Sequence, residues 1–224
     1  MTSRGVFISF EGSDGSGKST QARLLAEKLG TLGYSVVENV EPGGTPIGQQ
    51  IRSILLDPVN AEMSAMAELL LMFASRAQAT EQRIRPALSR GDVVLSDRFT
   101  DSSLAYQGEA RGLSFDMVRA LHRLSIGALY PDLTICLEID LEASLARAHN
   151  RNRASAPIGT RQTRFDDQSF EFHRRVVEGY HKIQVEEPDR FKIIDGRASP
   201  ETIAQRVWEL VKVVLPSSRN SMPV

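Results

Sequence analysis

The chain has 224 residues and a formal net charge of −1, with 41% hydrophobic and 25% charged residues. This composition is that of an ordinary soluble protein, and the length suits one α/β domain or two small ones. A net charge near zero argues against a general nucleic-acid or membrane-surface binder, so an anionic ligand would need a local cluster of positive groups.

Hydrophobic spacing predicts short strands that alternate with helices along the chain. The predicted strands cover residues 6–10, 34–40, 93–96, 133–139 and 191–194. The predicted helices cover residues 18–29, 46–56, 62–85, 114–129, 141–150, 168–185 and 200–215, and residues 151–165 are predicted to be a loop. Five strands in this alternation predict a parallel sheet covered on both faces, with ligands bound beyond the carboxyl ends of the strands.

The single cysteine bears on the compartment. Cys136 lies in an apolar run and has no partner for an internal disulfide, which suggests a reducing compartment. The N-terminal segment has no long apolar stretch with a cleavage pattern, and no run of about 18 apolar residues occurs. We therefore expect a soluble, cytoplasmic protein that does not enter a membrane.

A phosphate-binding loop is predicted between the first strand and the first helix. Residues 12–19 read GSDGSGKS, which fits G-x-x-x-x-G-K-[ST] without a gap. Glycines let backbone N–H groups turn toward phosphate oxygens, and the N-terminus of the following helix adds about half a positive charge. Lys18 is expected to reach the β- and γ-phosphates of a nucleoside triphosphate, and Ser19 to ligate Mg²⁺. The residues predicted to hold the nucleotide are Gly12, Ser13, Asp14, Gly15, Ser16, Gly17, Lys18, Ser19 and Thr20.

Three charged residues at or beside strand ends each have two interpretations. Asp14, inside the loop, either caps the turn or holds a hydroxyl of an acceptor sugar. Asp97 and Arg98 follow the apolar run 93–96. They are either an ordinary surface pair or a second phosphate site, in which Asp97 holds Mg²⁺ or its water and Arg98 grips an acceptor phosphate. The neighbouring phosphate loop favours the second interpretation.

An arginine-rich stretch begins within the helix predicted at 141–150 and continues into the loop predicted after it. No acidic residue occurs between Glu142 and Asp166. A solvated loop or a nucleic-acid-binding arm are two explanations. A closing lid that brings an arginine to the transferred phosphoryl group and excludes water is the one we favour. The arginines of this stretch are Arg147, Arg151, Arg153, Arg161 and Arg164.

Taken together, these motifs resemble the thymidylate kinase family from Phe7 to about Leu215. The matching blocks are FISFEGSDGSGKST, EPGGTPIGQQIRSILL, ASRAQ, SDRFTDSSLAYQG, YPDLTICLEID and IIDG. The resemblance implies a three-layer P-loop nucleoside monophosphate kinase fold, with one domain over residues 1–215, a short lid at about 150–165 and a polar tail over 216–224. It implies transfer of the γ-phosphoryl group of ATP to dTMP with Mg²⁺, and we expect direct in-line transfer.

The resemblance also assigns roles in the acceptor site. Asp14 would bind the sugar 3′-hydroxyl, and Arg98 with Arg52 would hold the 5′-phosphate. Arg76 would bond the thymine carbonyl, and Tyr106 would exclude a ribose 2′-hydroxyl. The residues so implied for acceptor binding are Asp14, Glu41, Pro42, Arg52, Met72, Phe73, Arg76, Arg98, Ser102, Ser103, Tyr106 and Gln107, while Ser19 and Asp97 would hold the metal.

The family takes its mobile catalytic arginine from the phosphate loop or from the lid. Ser16 occupies the loop position here, so the resemblance implies the bacterial type with a lid arginine. Arg164, in RFDDQSFEF, is the best match and Arg153 the second. The catalytic residues implied are therefore Lys18, Arg98, Arg164, Asp14 and Arg153.

Two positions depart from the family pattern. An aromatic residue that commonly stacks on thymine is replaced by Met72, with Phe73 beside it. Either the polarisable methionine covers the ring or the helix presents Phe73, and both side chains could equally belong to the core. An arginine often found before EPGG is Val40 here, so one basic contact near the acceptor phosphate is absent.

Two other functions stay open at this point. A different P-loop small-molecule kinase, acting on dCMP, AMP or a sugar acid, would share the loop and lid but not EPGG or SSLAYQ. A nucleotide-gated ATPase switch would need a water-orienting residue. The expected partners are dTMP and ATP, with no nucleic acid and no membrane. The long apolar helix from Glu62 suggests a homodimer, as in the family, although an internal core explains its pattern too.

Overall fold

The computed structural model describes residues 4–155 and 163–216, with the backbone alone at residues 149 and 151–155. Within these ranges five strands form one parallel sheet in the order β2-β3-β1-β4-β5. The strands are β1 (Phe7–Glu11), β2 (Val36–Val40), β3 (Val93–Asp97), β4 (Leu133–Glu138) and β5 (Phe191–Asp195). The five predicted strands are thus confirmed, each to within one or two residues.

Helices connect successive strands. They are α1 (Lys18–Thr31), α2 (Pro46–Leu56), α3 (Ala65–Ala79), α4 (Arg85–Arg90), α5 (Thr100–Ser103), α6 (Phe115–Ser125), α7 (Leu141–Ser155), α8 (Phe170–Glu186) and α9 (Pro200–Val214), with a 3₁₀ turn at Pro58–Asn60 and π-helical segments at Thr80–Ile84 and Leu104–Ala110. Within the described residues, no helix is long and apolar enough to cross a membrane.

The helices cover both faces of the sheet because successive strand side chains point to opposite faces. Phe7 of β1 belongs to a buried cluster with Val176 of α8. Ile8, the next residue, belongs to a second cluster with Leu25 of α1 and Val207 of α9. The result is the predicted three-layer arrangement.

The register of the sheet brings the two predicted phosphate motifs together. Phe10 of β1 pairs with Asp97 of β3 in parallel. The loop that follows β1 and the Asp97–Arg98 pair therefore leave the sheet side by side, at its carboxyl edge. This is where parallel α/β sheets bind ligands.

Two predicted helices have different bounds in the structure. The helix predicted over 62–85 is α3, a π-helical turn at Thr80–Ile84, and α4. Pro86 lacks an N–H and its ring crowds the preceding turn, and a wide π turn accommodates both effects. The helix predicted over 114–129 ends at Ser125.

The lid segment differs as well. The helix α7 continues to Ser155, into the part predicted to be a loop. Elsewhere in the chain, residues Thr100–Ala110 are helical although no helix was predicted there. The rest of the predicted lid, at 156–162, lies outside the described residues, as does the tail beyond residue 216.

Candidate active site

The phosphate loop turns between β1 and α1 on glycines in backbone conformations that other residues rarely adopt. Gly12, Gly15 and Gly17 have φ angles of 124°, 83° and 102°. The ammonium of Lys18 folds back over the loop and donates to the carbonyls of Gly12 at 3.0 Å and Ser13 at 2.8 Å. Lys18 is only 6% exposed, and burial lowers its pKa, with Arg98 adding to the shift.

The two predicted metal ligands are in contact. The hydroxyl of Ser19 donates to Oδ2 of Asp97 at 2.8 Å. Both residues line one cavity together with Lys18, Thr20 and Arg147. Oxygen ligands of this kind suit Mg²⁺.

The first turns of α7 lie against the phosphate loop. The Ser144 hydroxyl donates to the carbonyl of Asp14 at 2.6 Å. A Cβ added to Gly15 would lie 2.6 Å from the Ser144 carbonyl and 2.9 Å from the Cβ of Arg147. The helix that leads to the predicted lid is therefore held directly on the loop, and it places Arg147 at the edge of the loop cavity.

Arg98 connects the two phosphate motifs: it belongs to the Asp97–Arg98 pair and donates to Asp14 of the phosphate loop. It has a φ of 72°, the left-handed region that non-glycine residues seldom occupy. Its N–H donates to the Phe10 carbonyl at 2.9 Å and fixes that conformation. Its guanidinium donates to Asp14 at 2.9 Å, Ser102 at 3.0 Å, Tyr180 at 3.2 Å and Tyr106 at 3.3 Å.

Glu11 and Tyr180 support Arg98 and were not predicted. The buried carboxylate of Glu11 accepts from the Ser102 hydroxyl at 2.5 Å, the Tyr180 hydroxyl at 3.0 Å and the N–H of Phe99 at 2.7 Å. Burial raises the pKa of Glu11, and Asp101 raises it further. Glu11 could have been suspected because it is the last residue of β1, directly before the phosphate loop. Tyr180 lies in α8, away from any recognised motif, so the sequence gives no indication of its role.

Arg76 lies at the other end of the acceptor region. It is 1% exposed and donates to Glu41 at 2.6 Å, to Ser103 at 3.0 Å and to the Phe99 carbonyl at 2.9 Å. Its guanidinium lies 4.6 Å from the centre of the Phe73 ring. Burial raises the pKa of Glu41 to about 7, against the opposing effect of Arg76.

One cavity collects the predicted acceptor residues. Every one of them except Phe73 lines it, and so do Leu56, Phe165 and Asp166. Phe73 is 2% exposed and belongs to the core, whereas Met72 faces the cavity. Of the two alternatives for this helix, the structure presents Met72.

The acceptor cavity adjoins the phosphate-loop cavity. Four residues line both of them: Asp14, Glu41, Arg52 and Arg98. The Arg52 guanidinium also donates to the carbonyl of Pro42 at 2.9 Å. Two positive side chains therefore stand at the junction, where two phosphorylated ligands would meet.

Arg164 does not line either of these two cavities. It is 2% exposed, pairs with Glu68 at 2.7 Å, and donates to the carbonyls of Asn60 at 2.9 Å and Leu55 at 3.2 Å. The structure thus brings it beside the acceptor cavity and not to the phosphate loop, which differs from the predicted catalytic position. The side chain of Arg153 lies outside the described residues.

Comparison with known proteins decides the family. A sequence model described as Thymidylate kinase matches residues 10–207. The chain belongs to the thymidylate kinase family. It is 46% identical over 215 residues to a thymidylate kinase of Thermomicrobium roseum, covering 96% of this chain and 98% of the relative. It is 47% identical over 203 residues to one of Pelobacter propionicus, covering 91% and 92%.

A solved structure agrees with this membership. The crystal structure of thymidylate kinase from Ehrlichia chaffeensis superposes with a TM-score of 0.74 at 30% identity, over 93% of this chain and 99% of that one. The predicted P-loop kinase fold is therefore confirmed. Family membership likewise confirms the predicted enzyme class, a kinase that uses ATP as phosphoryl donor and dTMP as acceptor.

Proposed function

We propose that this thymidylate kinase holds ATP over the phosphate loop and dTMP in the adjoining cavity, and transfers the γ-phosphoryl group directly between them. The observation that carries the proposal is the sharing of Asp14 and Arg98 by both cavities. An acceptor phosphate held by Arg98 at that junction would lie next to the γ-phosphate of a bound ATP. Positioning of this kind is the main contribution a protein makes to phosphoryl transfer.

Lys18 and Asp14 would prepare the junction. The Lys18 ammonium already lies over the loop, where it can donate to the β- and γ-phosphate oxygens instead of to backbone carbonyls. Asp14 holds Arg98 at 2.9 Å and stands beside the acceptor sugar in the proposed pose. We assign Asp14 to the 3′-hydroxyl and to the orientation of Arg98.

Ser19 and Asp97 are the residues that would hold Mg²⁺. Their oxygens form a hydroxyl–carboxylate pair inside the phosphate-loop cavity, which suits a hard cation. A bound Mg²⁺ supplies charge neutralisation for the phosphate oxygens.

Arg147 is the described arginine best placed to stabilise the transferred group. It lines the phosphate-loop cavity, and its helix is bonded to the loop through Ser144. Negative charge spreads over the γ-oxygens during transfer, so a cation at this edge stabilises the transition state. Arg153, farther along the same helix, stays a second candidate, while the placement of Arg164 favours a role in the wall of the acceptor site.

The base and sugar would occupy the deeper part of the acceptor cavity. Arg76, Ser103 and Gln107 line it and present polar groups to a base edge, with Met72 available to cover the ring. Tyr106, 6% exposed, lies close to Arg98 and would leave no room for a ribose 2′-hydroxyl.

The decisive experiment measures ADP release by the purified protein with ATP, Mg²⁺ and a panel of monophosphates. We expect turnover with dTMP and much less with dCMP or AMP. Low ATP consumption without acceptor, rising steeply with dTMP, excludes an ATPase switch. A well-folded protein that forms no dTDP would overturn the proposal.

We also propose a homodimer in the cytoplasm. The helix α3 leaves Met66 and Leu70 39% and 50% exposed, and Ile47 and Ile54 on the neighbouring α2 are 50% and 46% exposed. Exposed apolar residues on two helices that pack against each other favour association. Light scattering of the wild type and of Leu70→Arg tests this, since a mass of one chain for the wild type contradicts it.

A further inference from the structure

Glu68 is a buried carboxylate beside the acceptor cavity that the assigned chemistry does not use. It lies in the first turn of α3 and is 0% exposed. It ion-pairs with Arg164 at 2.7 Å and with Arg111 at 3.1 Å. Two guanidinium groups compensate its charge, so a fully buried carboxylate is stable here.

The two oxygens of Glu68 have different partners. Oε2 forms an ion pair with Nη2 of Arg164 at 2.7 Å and accepts a hydrogen bond from Nη2 of Arg111 at 3.1 Å. Oε1 accepts from Nε2 of Gln107 at 2.9 Å and, at 3.3 Å, from Nε of Arg111. The carboxylate therefore joins a fixed pair of arginines to the side-chain amide of one cavity residue.

This contact determines how the Gln107 amide is oriented. A carboxylate can only accept hydrogen bonds, so the NH₂ group of the amide has to face Glu68. The amide oxygen is then the polar atom left for the cavity that Gln107 lines. In the described part of the chain, that oxygen forms no hydrogen bond of its own.

We propose that Glu68 is a positioning residue that sets the acceptor base specificity by holding the Gln107 amide oxygen toward the cavity. Beside it, Arg76 offers a donor. An acceptor next to a donor matches a pyrimidine with a protonated N3 beside a carbonyl, as in thymine and uracil. Cytosine presents the reverse pattern, an unprotonated N3 beside an amino group, and leaves both protein groups unpaired.

The inference rests on the proposed placement of the base against Arg76 and Gln107. A site built to hydrogen-bond a ligand group rejects an analogue that lacks it, because buried polar groups are left unsatisfied. Glu68 would strengthen this rejection because its ion pairs with Arg164 and Arg111 hold the carboxylate in place, so that the Gln107 amide cannot turn over to suit cytosine.

The test is Glu68→Gln, with kcat/KM measured for dTMP and dCMP. Nη2 of both arginines faces Oε2, whereas only Nε of Arg111, at 3.3 Å, faces Oε1. The new amide would therefore keep its oxygen at the Oε2 position and place its NH₂ group at the Oε1 position, facing Gln107. The Gln107 amide would then turn over and present its NH₂ group to the base. We expect the dTMP-to-dCMP ratio of kcat/KM to fall by about tenfold or more.

Glu68→Asp serves as a second variant that keeps the charge between the arginines but is too short to reach Gln107. We expect a smaller fall in the ratio, since the amide would be free to adopt either orientation. The matched control is Asp101→Asn, which weakens another buried pair, with Arg190 at 2.7 Å, away from the cavity lining. It should lower stability and leave the ratio unchanged.

The variant Gln107→Leu tests the proposed position of the base independently of the proposed role of Glu68. In that background Glu68→Gln should no longer change the ratio, as a double-mutant cycle requires. If Gln107→Leu itself leaves dTMP kinetics unaltered, the base placement is wrong and the inference falls with it. If Gln107→Leu impairs dTMP use but both Glu68 variants slow the two acceptors equally, Glu68 is only structural.

Discussion

Arg164 and Glu68 form an ion pair of 2.7 Å in which the two side chains are 2% and 0% exposed. The same guanidinium donates to the carbonyl of Leu55, in the last turn of α2, and to that of Asn60, in the 3₁₀ turn that follows. Arg164 thereby fastens the last residues of the predicted lid to the end of α2, beside the acceptor cavity. A guanidinium held by Glu68 and by two backbone carbonyls is poorly suited to move during a catalytic cycle.

Arg164→Ala should therefore destabilise the protein. Removal of one member of a buried ion pair leaves the partner charge partly uncompensated, although Arg111 still pairs with Glu68. We expect the free energy of unfolding to fall by about 2–3 kcal/mol, as measured by urea denaturation. KM for dTMP should rise too, because the neighbouring Phe165 and Asp166 line the acceptor cavity. Unchanged stability with a large loss of kcat alone would return Arg164 to the catalytic role.

Arg147→Ala should have the opposite profile. The side chain is exposed and lines the phosphate-loop cavity. Its loss removes a positive charge that would stabilise the transition state, but it leaves no cavity in the hydrophobic core. We expect kcat to fall by about 100-fold or more, with KM for dTMP and the unfolding free energy close to wild type. Arg147→Lys, which keeps the charge but not the fork of donors, should recover part of kcat. An Arg147→Ala enzyme with full kcat would leave Arg153 as the candidate.

The parts of the site that could be predicted are those encoded by neighbouring residues. The loop from Gly12 to Ser19 has a fixed spacing, and Asp97 and Arg98 follow directly on an apolar strand. Parallel register alone then places the two motifs at one edge of the sheet. Local sequence and the rules of α/β topology suffice for this much.

The supporting network could not be predicted in the same way. Glu11, Ser102 and Tyr180 come from three elements far apart in the chain, and only packing brings their hydroxyl and carboxylate groups together. The environment of Arg164 depends on backbone carbonyls, which no side-chain pattern reveals. The π-helical turn at Leu104–Ala110 likewise has no periodicity of its own, yet it presents Tyr106 and Gln107 to the cavity.

Gly15→Ala should impair the phosphate loop. Gly15 has a φ of 83°, and an added Cβ would lie 2.6 Å from the carbonyl of Ser144. The methyl group would force α7 away from the loop and strain the backbone that cradles phosphate. We expect KM for ATP to rise and kcat to fall, each by about tenfold or more. Gly33→Ala is the control: its φ is also 83°, but no atom lies within 4 Å of the added Cβ.

A buried histidine near Arg76, which is proposed to recognise the base, should make stability depend on pH. His122 is 0% exposed, with Nδ1 2.8 Å from the Thr100 hydroxyl and its ring 4.0 Å from that of Tyr130. Burial lowers its pKa from 6.5 to about 4, and the positive charge of Arg76 contributes. Arg190 acts in the same direction, while Asp101 opposes the shift.

Because the pKa of His122 is lowered in the folded state, the free energy of unfolding should decrease as the pH falls. Below about pH 6.5 the unfolded chain takes up a proton at His122 that the folded protein does not accept until about pH 4. This contribution to stability is complete above pH 6.5 and is lost as the pH falls toward 4. In His122→Gln it is absent at every pH. The difference in unfolding free energy between wild type and variant should therefore narrow below pH 6.5, by at most roughly 1.4 kcal/mol per pH unit. Urea denaturation of both proteins at several pH values measures that difference, and a constant gap from pH 8 to pH 5 would mean that His122 is protonated in the folded state as readily as in the unfolded one.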